Sequence, residues 1–183
     1  NRYYKISYIF AGIKTKFNML TFNWLAILGS GLVPMAVGAL WYGPLFGKLW
    51  MKEADMSLEK IQGANMAAIY GVALLFSMMF AVGLLPAVVH QMGVFSTLEG
   101  LDVTTPGSEV NVYFMDFMSK YGSEFRTFKH GAFHGLLCGI FLFLPVLGTN
   151  ALFERRSWKY IFLNVGYWTI SAMIMGGIIG AWG

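Results

Sequence analysis

Charge is scarce in this sequence. Only 12% of the 183 residues are Asp, Glu, Lys or Arg, against 57% hydrophobic, where a soluble domain carries about 25% charged residues. That scarcity argues against a water-facing globular domain and makes a membrane protein the first expectation. Cysteine is almost absent: Cys138 stands alone, so no internal disulfide framework and no Cys-x-x-Cys metal site can form. Extended basic surface is missing too. The 13 Lys and Arg residues fall in short clusters between apolar stretches, so no nucleic-acid partner is expected. Strings that announce an enzyme are likewise lacking, with no phosphate-cradling loop, no dinucleotide-binding glycine run and no His-Glu-x-x-His.

The charges that exist divide the chain. They fall within residues 1–16, 48–60, 99–129 and 154–159, leaving charge-free stretches at Phe17 to Gly47, Ile61 to Leu98, His130 to Phe153 and Tyr160 to Gly183. The shortest of these is 24 residues. A bilayer core about 30 Å thick needs roughly 20 apolar residues in a helix, so each stretch accommodates one span. A segment such as Ala67 to Val89 shows no polar stripe at helical spacing, unlike the surface helix of a soluble bundle. The expected fold is therefore all-α, a four-helix transmembrane bundle with spans at 24–45, 65–89, 133–153 and 160–182. No acidic residue lies inside these spans, which removes an intramembrane carboxylate dyad or proton relay. Aromatic residues mark the ends, Trp24, Trp41 and Tyr42 on the first span and Trp158, Tyr160 and Trp182 on the fourth, as amphipathic rings favour the headgroup level. Pro34 and Pro145 fall within spans and are expected to kink them, whereas Pro44 and Pro86 lie nearer helix ends.

Residues 1–18 read as a separate leader. Their apolar run, Tyr8 to Ile13, is too short to span and no small-residue cleavage site follows it. Met19 reads as the start of the domain, with upstream sequence or an interfacial leader as the two accounts of what precedes it. The single four-span domain is then 19–183.

Two strings carry a family likeness. One runs from Asn23-Trp24-Leu25-Ala26 to Gly38-Ala39-Leu40-Trp41-Tyr42-Gly43-Pro44-Leu45-Phe46-Gly47-Lys48-Leu49-Trp50-Met51. The other joins His134-Gly135-Leu136-Leu137 to Thr149-Asn150-Ala151-Leu152-Phe153-Glu154-Arg155-Arg156. From Met19 to Gly183 the chain thereby resembles the domain of unknown function 1761 family, small integral membrane proteins of bacteria. The resemblance implies a four-helix membrane protein and supplies no activity, substrate or catalytic residue.

Small residues recur four apart on every span: Ala39, Gly43 and Gly47; Gly63, Ala67 and Gly71; Gly131, Gly135 and Gly139; Ala172, Gly176 and Gly180. In lipid such stripes let helix backbones approach closely. The stripe Gly131, Gly135 and Gly139 is read as a packing seam, either within the chain or toward a second copy or another membrane protein. Beside it His130, His134 and Cys138 also recur four apart, an outline of metal-ligand spacing that would need His90, Asp116 or Glu124 to complete it. The plainer reading is preferred, with His130 at the water interface beside Lys129 and Cys138 a small buried apolar residue. No metal, no cofactor and no catalytic residue is therefore expected. His134, Asn150 and Asn164 are retained as polar-lining or ligand candidates, since amides at that depth must find partners. Between the second and third spans, Ser108 to Phe128 places Val110, Tyr113, Phe114, Phe117, Met118, Tyr121, Phe125 and Phe128 at three-to-four spacing, as expected of an amphipathic helix at the membrane surface or capping the bundle.

The functional expectation is a multi-pass protein of the bacterial inner membrane, not an enzyme, acting as a structural or accessory subunit; the alternative is a small-solute or lipid-binding transporter-like protein. Lys48, Lys52, Lys60, Arg155, Arg156 and Lys159 flank one side of the spans and Lys120, Arg126 and Lys129 the other, joined by Arg2, Lys5, Lys14 and Lys16 if the leader is native, so the balance hinges on Met19 and the short third connector is given most weight. Basic residues in short loops stay in the cytoplasm, so the first and third connectors are expected inside and both termini outside.

Overall fold

A computed structural model of the chain describes residues 23–182; the expectations for the leader lie outside these residues. Among the described residues all regular structure is helical. In chain order the helices are α1 (Trp24–Leu40), α2 (Gly47–Glu53), α3 (Leu58–Gln62), α4 (Met66–Val88), α5 (Gln91–Leu98), α6 (Glu109–Tyr121), α7 (Phe128–Cys138), α8 (Leu144–Phe153) and α9 (Trp158–Ala181). Wide π-type turns at Trp41–Leu45 and Gly139–Phe143 prolong α1 and join α7 to α8. Among the described residues, four units are long and apolar enough to cross a membrane: Trp24–Leu45, Met66–Val88, Phe128–Phe153 and Trp158–Ala181.

Short polar side chains set where these helices begin. Asn23, Asn65, Ser108, Thr127 and Ser157 each accept a hydrogen bond from a backbone N–H of the first turn, satisfying donors that have no partner inside the helix. The Thr127 cap corrects the expected third span, which starts at Phe128 rather than Phe133 and carries Lys129 and His130 on its opening turn. The fourth span starts at Trp158 instead of Tyr160, one residue after the Ser157 cap.

Proline acts unevenly. The α1 helix runs through Pro34, whereas the chain breaks at Gly43 (φ −98°, ψ −108°) just before Pro44. Pro145 sits in the first turn of α8 directly after the π turn at Gly139–Phe143, a widening that relieves the missing N–H and the ring's clash with the preceding turn.

The spans alternate in direction, and the ends confirm it. At one end the Asn23 side-chain amide donates to the Trp182 carbonyl at 2.8 Å. At the other, Arg156 pairs with Asp55 at 2.7 Å and the Ser157 hydroxyl donates to the Glu53 carboxylate, tying the first connector to the third. One apolar cluster draws on all four spans, with Ile27 and Val33, Ala81, Leu84, Leu85 and Val88, Cys138, and Met175 and Ile179.

The third and fourth spans meet most closely. A Cβ at Gly131 would strike the Gly176 carbonyl, one at Gly135 the Ala172 backbone, one at Gly139 the Thr169 side chain, and one at Gly180 the Thr127 carbonyl at 2.6 Å. Of the two alternatives for the Gly131, Gly135 and Gly139 stripe, the structure displays the seam within the chain, against Ala172, Gly176 and Gly180. The other two stripes do not form seams of this kind. Gly43 and Gly71 have open space around a notional Cβ, and Gly47 closes on the carbonyl of Tyr42 in its own segment.

The second span is held differently. Its buried residues, Ser77, Ala81, Leu84, Leu85 and Val88, all lie in the later half, while Ile69, Tyr70, Val72, Leu75 and Phe76 of the earlier half are exposed.

Candidate functional site: three histidines at one end of the bundle

The connector from Val89 to Thr127 folds into a small cap over the end of the bundle that holds Asn23 and Trp182. Helix α6 ends at Tyr121 with Gly122 as its cap, shorter than the stretch Ser108 to Phe128 expected from the pattern, and a Cβ at Gly122 would meet the Met118 carbonyl. Phe114 of α6 packs edge-on to Phe95 of α5, with Val103 beside them. Gln91, 5% exposed, holds the turn that follows: its amide nitrogen donates to the carbonyls of Gly122 and Glu124, both at 3.0 Å, while its Oε1 is buried without a donor.

This arrangement brings together all three histidines of the chain. His90 follows the second span immediately, and His130 and His134 lie one turn apart on α7. The His130 Nε2 stands 2.8 Å from His90 Nε2 and 3.0 Å from His134 Nε2, and the three nitrogens all lie within 4.8 Å of one another. Thr127 helps to place the pair by capping the His130 N–H at 3.2 Å. Phe125 lies against both His130 and His90, with ring centroids 4.9 and 5.9 Å away, and it does so with a left-handed backbone, φ +62°. A bulky residue in that conformation is strained. Next to the trio is a cavity of about 430 Å³ lined by His90, Gln91, Val94, Phe117, Tyr121, Glu124 and Phe125.

The histidine nitrogens pose a valence problem. An imidazole nitrogen carries either one hydrogen or one lone pair, yet His130 Nε2 faces two other ring nitrogens at hydrogen-bond distance. Protons alone satisfy one of these contacts and leave the other without a partner.

The remaining candidate residues separate. Cys138, four positions beyond His134, packs in the apolar core and stands outside the nitrogen cluster, as do Asp116 and Glu124. Asn164 lies at the opposite end of the bundle, where its Oδ1 accepts from the Tyr42 hydroxyl at 3.0 Å and its amide nitrogen donates to the Tyr160 carbonyl at 2.8 Å. With Trp41 Nε1 donating to the Leu163 carbonyl at 3.1 Å, these bonds clamp the first span to the fourth. Asn150 is exposed on α8. His134, Asn150 and Asn164 therefore do not line one common pocket. Gln91 was not singled out by sequence reasoning, since a buried amide in a turn-rich connector carries no spacing signal; Phe125, expected on the apolar face of the amphipathic stretch, lies against the histidines instead.

The family model described as a protein of unknown function (DUF1761) matches residues 25–180. No curated protein matches the chain, and no solved structure does.

Proposed function

We propose, for a chain that belongs to the DUF1761 family of proteins of unknown function, a non-enzymatic structural or accessory role as a multi-pass protein of the bacterial inner membrane. The observation that carries this reading is the outer face of the second span. Ile69, Tyr70, Val72, Leu75 and Phe76 are exposed together on one helix half that has no fully buried residue. An apolar face this long is untenable in water and suits lipid or another membrane helix. Two buried hydroxyls favour the same reading, because Ser30 donates to the Met175 carbonyl and Ser77 to the Ala73 carbonyl, and Cys138 is enclosed in the core. None of these groups is set up as an activated nucleophile.

A photocrosslinking residue at Phe76, compared with one at buried Leu84, tests the role in living cells. The expected outcome is one discrete membrane-protein adduct from position 76 and none from position 84. Adducts with lipid alone from position 76 would contradict an accessory role. They would favour the second reading, a small-solute or lipid-binding protein, which draws support from the 430 Å³ cavity, a size suited to small ligands. That cavity lies beyond the span ends, so it favours binding over passage through the bundle.

A further inference from the structure

We propose that His90, His130 and His134 bind a divalent late transition-metal ion, with zinc as the type case, through their three Nε2 atoms. This goes beyond the accessory role and reverses the expectation that the chain holds no metal. Three features carry it. The first is convergence: the Nε2 atoms of His90 and His134 lie 2.8 and 3.0 Å from that of His130, and no pair in the group is more than 4.8 Å apart. With zinc–nitrogen bonds of about 2.0–2.1 Å in a tetrahedron, neighbouring ligand nitrogens stand roughly 3.3 Å apart. The two separations to His130 need only about 0.3–0.5 Å of opening to reach that spacing, and the third pair, within 4.8 Å, has at most a small gap to close. The second is the valence problem at His130, because a cation accepting three lone pairs satisfies every Nε2 at once, which shared protons do not. The third is chemistry and access: imidazole suits zinc, copper and nickel, and the exposed His90 also borders the cavity, so an ion and a fourth ligand such as water reach the site from the aqueous side. The i, i+4 pair on α7 supplies two ligands on one helical face, and His90 from the end of α4 supplies the third. Binding would thereby clasp the second span to the third at the cap.

The test uses the full chain in detergent, stripped with a chelator and titrated with Zn²⁺ alone against a chromophoric competitor. One ion per chain is expected, together with an upward shift of the thermal transition on adding Zn²⁺. His90→Ala and His134→Ala should each weaken binding by about 100-fold or more, since loss even of a group that only orients a ligand costs about 10–100-fold. Cys138→Ala should bind as the parent does, because the thiol stands outside the cluster. Co²⁺ in place of Zn²⁺ should give the visible absorption of tetrahedral nitrogen ligation, lost in both histidine variants. If His134→Ala disturbs the third span, the exposed His90→Ala decides the case. No Zn²⁺ binding by the parent protein, or undiminished binding by His90→Ala, would overturn the proposal.

Discussion

Gly135→Leu is expected to destroy the bundle, and Leu136→Ala beside it to leave the bundle folded. Any Cβ at position 135 meets the Ala172 backbone, which cannot swing aside as a side chain can, so the third and fourth spans must separate to admit it. Overpacking of a close-packed contact costs about 1–3 kcal/mol and more when neighbours cannot yield, and here the whole seam of Gly131, Gly135 and Gly139 against Ala172, Gly176 and Gly180 opens together. We expect a loss of about 3 kcal/mol or more, seen as aggregation or a collapsed thermal transition in detergent. Leu136 is half-buried, and its truncation removes only packing area. Gly71→Ala is the matched control: open space surrounds a notional Cβ there, and alanine favours a helix over glycine by up to about 1 kcal/mol, so the variant should be neutral or slightly stabilised. Equal effects at 135 and 136 would remove the seam from the account.

Phe114→Ala should release the cap while the spans persist. Phe114 is 0% exposed and Phe95 2% exposed, and with Val103 they form the buried centre of the cap, with Met92, Val94, Leu98, Val110 and Met118 partly buried around them. Deleting a buried phenylalanine side chain costs about 3–5 kcal/mol. A core of three buried residues has no reserve to absorb that. Limited proteolysis should then cut between residues 99 and 126 in the variant and not in the parent, with little change in helix content. An unchanged digestion pattern would show that the cap is held by something other than this cluster.

The four spans were legible because each charge-free stretch holds one, although charge bounds them loosely: the second stretch runs to Leu98 while its helix ends at Val88. The third span departs the other way. Lys129 and His130 made the third span look five residues shorter than it is, although Thr127, a capping residue, already pointed to an earlier start. The capping residues Asn65 and Ser157 would have corrected the other bounds in the same way. Glycine spacing was a poorer guide, since every span carries a stripe and only the two that face each other, on the third and fourth spans, act as a seam. Spacing on one helix suggested His130, His134 and Cys138 as a unit, but the structure keeps the two imidazoles, sends the thiol into the core and adds His90. That partner lies 40 residues away. Even span number places the whole second connector on one side, which left His90, Asp116 and Glu124 equally eligible; only the packing of α5 and α6 separates them. The short helices α2, α3 and α5 carried no sustained period to betray them.

Four crossings, with loops one and three on one face and the cap on the other, are the centre of this account. Single cysteines at Glu59 and Glu109, both exposed and neither a helix cap, in a Cys138→Ala background and treated with an impermeant maleimide on intact spheroplasts, test it most directly. The expected result is labelling at position 109 and protection at position 59 until the membrane is breached. Labelling at 59 with protection at 109 would reverse the orientation, and equal labelling of both before lysis would contradict a chain that crosses the membrane between them.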